Sequence, residues 1–266
     1  MKRVLWLAQV ALLVASSPLP AQEPELQDTL KGYNEAAAAG KGDYDKEVAD
    51  YTQAIGLNPK DAVPYYGRGC AYAKRGDYDK AICDFTKAIR LQPNYAQAYG
   101  NRGFASAMLG KYDEAIADFT EVMRLDPKDV KAYYSRGLAY GRNGDYDKAI
   151  TDFTAAIRLH PKLAWAYCGR GTAYDKKGDY NKGIADFTEA IRLDPKLAGA
   201  YYNRGLAYEN KGEHDKAIAD CTEAIRLDPK FAWAYYSRGL AYENKGEKAK
   251  AEEDFQQAKK LGYKPQ

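Results

Sequence analysis

Three residue ladders with a common step constrain this chain more than any other feature. Pro59, Pro93, Pro127, Pro161, Pro195 and Pro229 follow one another at intervals of 34 residues. Glycines keep the same step twice, as Gly69, Gly103, Gly137, Gly171, Gly205 and Gly239, and again as Gly42, Gly76, Gly110, Gly144, Gly178, Gly212 and Gly246. A fixed period of this length marks a stack of small units, each too thin to bury its own apolar face. Such a stack grows by adding units, so the 266 residues do not imply several enlarged cores.

One unit, 198–231, shows the local physics. Tyr201, Gly205 and Tyr208 share a helical face, which predicts a helix over 198–210. Lys211-Gly212 ends it, because glycine adopts the left-handed terminating conformation without a Cβ clash. A second helix is expected from about Asp215, burying Ala217, Ile218, Cys221, Ala224 and Ile225. Asp228-Pro229 stops that helix, since proline lacks the backbone donor. Gly205 and Ala217 are small enough for the two helices to approach closely.

The pattern Tyr201-x-x-Arg204-Gly205-x-x-Tyr208, followed by Ala217 and Pro229, resembles the tetratricopeptide repeat, with arginine in the usual leucine place. The resemblance covers residues 28–265 as seven units: 28–61, 62–95, 96–129, 130–163, 164–197, 198–231 and 232–265. It implies an all-α fold, a right-handed superhelical solenoid of seven antiparallel helix pairs with a concave ligand groove. Lys31, Glu35 and Glu47 in the first unit, and Lys248, Glu252 and Lys259 in the last, are polar where inner units mostly carry Tyr, Gly, Ala or Ile. A stack must present a wet face at its ends, so the array is expected to be complete, with no catalytic domain before or after it.

Ahead of the repeats, Met1-Lys2-Arg3, the uncharged run Val4–Ala15 and the small-residue segment to Ala21 have the layout of a secretory signal peptide. The apolar run is shorter than the roughly 20 residues a membrane-spanning helix needs, so stable membrane insertion is not expected. We take 1–21 as the signal, 22–27 as a short linker, and the mature protein as periplasmic or secreted. Removing Lys2 and Arg3 lowers the basic count from 40 to 38, against 37 acids. That near-neutral balance offers no electrostatic case for nucleic acid. Cys70, Cys83, Cys168 and Cys221 fit neither a C-x-x-C motif nor a zinc spacing, and are expected to be free thiols even in an oxidising compartment.

Arg68, Arg102, Arg136, Arg170, Arg204 and Arg238 form a further ladder, which could be mistaken for an anion-binding strip. Each is followed after 16 residues by an aspartate: Asp84, Asp118, Asp152, Asp186, Asp220 and Asp254. The two positions fall on facing helices of one unit, so structural ion pairs are expected. His160 and His214 each replace a residue that recurs elsewhere in the ladder, and read as sporadic substitutions. No phosphate loop, metal set or nucleophile constellation stands out. The chain is read as no enzyme, with no cofactor.

The family resemblance places groove-lining residues at the second, fifth, sixth, ninth, twelfth and thirteenth positions of each unit. Those places hold Tyr66, Phe104, Tyr134, Tyr202 and Tyr236, with Trp165 and Trp233 at the edge, where ligand contact and packing on the next repeat both stay open. Asn101 and Asn203 carry a donor and an acceptor for a peptide backbone. Lys74, Lys131 and Arg142 precede Asp175, Lys176, Glu209 and Glu243, a gradation from basic to more acidic. The family's basic clamp for a chaperone's terminal carboxylate is broken: Asn101 and Lys131 match it, but Tyr66, Cys70 and Ser135 do not. The expected function is a scaffold binding an extended peptide or a partner domain. The rival is a structural assembly subunit packing through its convex face or ends, and homo-oligomerisation stays open. The leader gives the first test: N-terminal sequencing of exported protein is expected to start near Gln22, and intact Met1 on cytosolic material would refute export.

Overall fold

The computed structural model describes residues 44–263. The leader, the linker and the first helix expected for the first repeat fall outside the described residues. Among those described there are thirteen α-helices and no strand. Contacts divide the chain into two compact units, one ending at Ala155 and the other beginning at Ala156. The first holds α1 (Tyr44–Leu57), α2 (Ala62–Arg75), α3 (Tyr78–Leu91), α4 (Ala96–Met108), α5 (Tyr112–Leu125), α6 (Val130–Asn143) and most of α7 (Tyr146–Leu159). The second holds the end of α7 with α8 (Ala164–Lys176), α9 (Tyr180–Leu193), α10 (Ala198–Asn210), α11 (His214–Leu227), α12 (Ala232–Asn244) and α13 (Lys248–Lys260). Connections are two to four residues long, so sequential helices run antiparallel. Within each unit consecutive helices pack on one another, with α2–α3, α4–α5, α8–α9, α10–α11 and α12–α13, each pair one repeat, packed most extensively.

First and second helices end in two different recurring ways, a glycine of positive φ after the first and a proline turn after the second. Gly76, after α2, has φ +87°, and beyond it Asp77 N donates to Tyr72 O at 2.9 Å. That bond satisfies a carbonyl left over at the helix terminus. After the second helices, Asp126, Asp194 and Asp228 each accept from the lysine amide two residues on, at 3.0 Å. The turn thereby closes around the intervening proline, which has no donor of its own. In the unit chosen above, α11 starts at His214, one residue before the expected Asp215. Ala217, Cys221 and Ala224 are buried, while Ile218 and Ile225 are half-buried.

Close approach explains the other glycine ladder. A Cβ on Gly69 would lie 2.7 Å from the Phe85 ring, and one on Gly239 would lie 2.6 Å from the Phe255 ring. The second helix therefore presses its phenylalanine onto bare backbone of the first. At Gly205 the facing group is Cys221 Sγ at 3.1 Å, the thiol that stands in for the ring. Polar groups close the same layer. Arg136 Nε and Nη2 donate to the Asp152 carboxylate at 2.8 Å each, a planar fork across the two helices of one repeat. Its remaining nitrogen, Nη1, donates at 2.9 Å to Thr120 of the preceding repeat. Arg68, Arg102, Arg204 and Arg238 repeat both contacts, and Arg170 makes the fork on Asp186. The hydrogen-bonded aspartate raises each of these guanidinium pKa values.

With Asp152 only 4% exposed and Arg136 17%, the pair is largely dry. Removing one partner strands a charge, whereas removing both does not. Asp152→Ala is expected to cost about 3–5 kcal/mol in denaturant unfolding, and Arg136→Met with Asp152→Leu much less. A double variant as damaged as the single would refute this account.

Candidate functional site

The face of each first helix turned away from its own second helix is the candidate binding surface. In the first unit, Tyr66 is half-buried, with its ring centroid 4.8 Å from that of Tyr95 and 5.8 Å from that of Phe85. Its hydroxyl accepts from Asn101 Nδ2 at 3.0 Å, and the same amide nitrogen lies 3.4 Å from Cys70 Sγ. Phe104 is half-buried and meets Tyr78 edge-on. Lys74 is exposed, 3.5 Å from Glu47. Lys131 and Arg142 are half-buried, and burial lowers the Arg142 guanidinium to about 10, still charged at neutral pH.

In the second unit, Tyr236 stacks on Tyr263 at 4.2 Å, and Trp233 meets the same ring edge-on at 4.7 Å. Asn203 hydrogen-bonds the buried Cys168 thiol. Glu209 accepts from Asn244 Nδ2 at 2.6 Å and lies 3.0 Å from His214 Nδ1, so that histidine is part of a polar cluster. Asp175 accepts from Asn210 Nδ2 at 3.4 Å. Lys176 and Glu243 are exposed.

The row of ring surfaces expected from the sequence is corrected at Tyr134 and Tyr202, and at Trp165, where both readings stood open, the structure buries the ring. Tyr134, Trp165 and Tyr202 are 8%, 6% and 8% exposed, so none of them offers a flat ring to a ligand. Tyr134 packs on Phe153 at 5.7 Å, and Tyr202 on Phe231 at 4.9 Å. The rings in the fifth place are covered by aromatic side chains of their own repeat, Phe153 on Tyr134 and Phe231 on Tyr202, with Ala234 of the next repeat in the same cluster as Tyr202; Trp165 stands in the second place. Asn101 and Asn203 likewise spend amide capacity on the preceding repeat. The partners Tyr95, Phe231, Tyr263, Asn210 and Asn244 escaped the sequence reading. For Asn210 and Asn244 the signal is an offset of 35 residues, one more than the repeat, which Tyr66–Asn101 shares.

Family models described as tetratricopeptide repeat match residues 62–95, 130–163 and 198–231, residues 85–117 and 221–253, and residues 37–61. A model described as TPR repeat matches 107–144 and 171–212. The crystal structure of MamA is 34% identical, with 60% of this chain and 93% of that chain covered and a TM-score of 0.54. A tetratricopeptide repeat protein from Parabacteroides merdae is 23% identical over 88% of this chain and 91% of its own, with a TM-score of 0.71. YrrB, described as a TPR protein with an unusual peptide-binding site, is 24% identical over 71% and 97%, with a TM-score of 0.57. These last two likenesses are of fold. No curated protein matches the chain. No helix among the described residues is long and apolar enough to cross a membrane, and no group of three metal-ligating side chains is found among them.

The four cysteines are free and differ in environment. Burial raises Cys168 and Cys221 to about 12, and raises Cys70 as well, whereas Cys83 is exposed. Because the thiolate is the reactive form, a disulfide reagent on native protein is expected to modify Cys83 first and Cys70 slowly. Cys168 and Cys221 are expected to react only after denaturation. Fast labelling of either buried thiol in folded protein would contradict this ordering.

Proposed function

Because this chain belongs to the tetratricopeptide repeat family, we propose that it is an exported, non-enzymatic scaffold that holds an extended peptide or partner domain on the outward face of its first helices. The observation that carries the proposal is where the repeats differ. Arginine, glycine, aspartate and the buried alanines return in nearly every unit, but the outward places do not. The ninth place reads Cys70, Phe104, Leu138, Thr172, Leu206 and Leu240, and the thirteenth reads Lys74, Met108, Arg142, Lys176, Asn210 and Asn244. Repeats two to six thus each present a different pair on one rigid helix face, as recognition of a non-repeating ligand requires, while repeat seven carries the same leucine and asparagine as repeat six. YrrB shows that the fold can carry a peptide-binding site.

With three of the seven rings covered, exposed charges set orientation and specificity, and apolar contact comes from half-buried Phe104, Leu138, Leu206 and Leu240. The test uses side chains whose loss leaves the core intact. Lys74→Glu, Lys176→Glu and Glu243→Lys combined are expected to weaken capture of a co-purified partner by about tenfold or more, through like-charge contact, with an unchanged thermal midpoint. Lys87→Glu with Lys182→Glu, on second helices, is expected to leave capture unchanged. The reverse result would move the site to the second helices and favour an assembly subunit.

A further inference from the structure

The fifth place of the repeat normally holds the ring that joins one repeat to the next. Tyr66 lies against Phe85 and Tyr95 and accepts from Asn101; Tyr202 lies against Phe231 and clusters with Ala234 of the next repeat. Repeat three, 96–129, departs from this arrangement twice. Gly100 occupies the fifth place, and Asp129 stands where Tyr95 and Phe231 supply the covering ring. A Cβ on Gly100 would meet a single side-chain atom, a Val122 methyl at an ordinary 3.8 Å. This glycine is therefore not one of those pressed against a ring, and the space filled by tyrosine in repeats two and six begins open here.

The surroundings define what would fill it. Val122 is 5% exposed and stands where the other repeats have Ala88, Ala156, Ala190, Ala224 and Ala258, giving the notch an apolar floor. Ser135 occupies the sixth place of the following repeat, as does Asn101, which donates to the Tyr66 hydroxyl. Lys131 occupies the second place, equivalent to Trp233, which packs against the cluster containing Tyr202. A cation thus sits at the rim in place of an indole. The Asp129 carboxylate is turned to the backbone, accepting from Ala132 N at 3.0 Å as the N-cap of α6.

We infer that repeat three takes a tyrosine side chain from an acidic peptide ligand, the phenol ring lying on Val122, its hydroxyl bonding Ser135 and a flanking carboxylate facing Lys131. The inference rests on the groove reading and names the residue class that this part of the face selects. The chain itself supplies the template, since tyrosine in this place already fits repeats two and six.

The test uses full-length protein with carbon-13 labelled valine methyls, in which Val122 reports from the notch and Val48 from a distant helix. Titration with p-cresol, the tyrosine side chain alone, is expected to move the Val122 methyls upfield and to saturate, leaving Val48 still. Toluene is expected to bind about threefold more weakly, the scale of one exposed polar contact, and Ser135→Ala to bring p-cresol down to the toluene value. Gly100→Tyr is expected to shift Val122 at rest and abolish its response; Ser135→Ala provides the check should that variant fold poorly. The peptide acetyl-Glu-Tyr-Glu-amide is expected to bind about threefold or more tightly than acetyl-Lys-Tyr-Lys-amide, by charge contact at the rim. A silent Val122, a response that survives Gly100→Tyr, or equal affinity for the two peptides overturns the inference. If Val122 is silent while the exposed-charge variants still lose partner capture, only the notch falls. If Val122 responds while those variants capture normally, the notch stands and the wider groove reading falls.

Discussion

An arginine held between an aspartate of its own repeat and a threonine of the preceding one is the joint on which the rest of this structure depends. Both partners lie 16 residues away, one on each side. The fork onto the carboxylate sets how the two helices of a repeat register, because a planar guanidinium satisfies two oxygens in only one orientation. The third nitrogen then carries that register into the repeat before it. Desolvation offsets much of the attraction, so the contribution is one of specificity more than stability. Aliphatic packing alone would leave two smooth alanine-rich helices freer to slide.

That joint has consequences for the face available to ligands. Glycine opposite phenylalanine, and alanine at the helix crossing, draw the helices together until rings in the fifth place are enclosed. Tyr134 and Tyr202 are enclosed within the stack, and the hydroxyl of Tyr66 is tied to the following repeat. What remains for recognition is a row of half-buried apolar side chains, a few exposed charges and the places where a repeat leaves its own ring out. Gly100 is such a place. Variation among repeats is therefore the source of function here, since a stack of identical units would present the same contacts at every step.

Most of the fold was legible in one dimension. The glycine at φ +87° after α2, the Asp-Pro-Lys turns and the arginine–aspartate spacing are each set by residues close in sequence or at a constant step, so periodicity alone identifies them. Even the one-residue shift at the start of α11 lies within the usual spread of helix ends. The face was harder to read. An outward position on an isolated helix predicts exposure, but Trp165 and Tyr202 are buried. Their burial is decided by how near the neighbouring helices come, a distance no helical wheel contains. The pairs that cover the face join the fifth place of one repeat to the sixth of the next, or the twelfth to the thirteenth, and are offset from the period that announces the fold. The sequence by itself determined the unit, its ends and its internal ion pair, because those follow from local backbone chemistry and a repeated spacing. Only the tertiary structure decided which aromatic rings are enclosed in the stack and which side chains stay on its outward face, because that depends on how closely the helices pack.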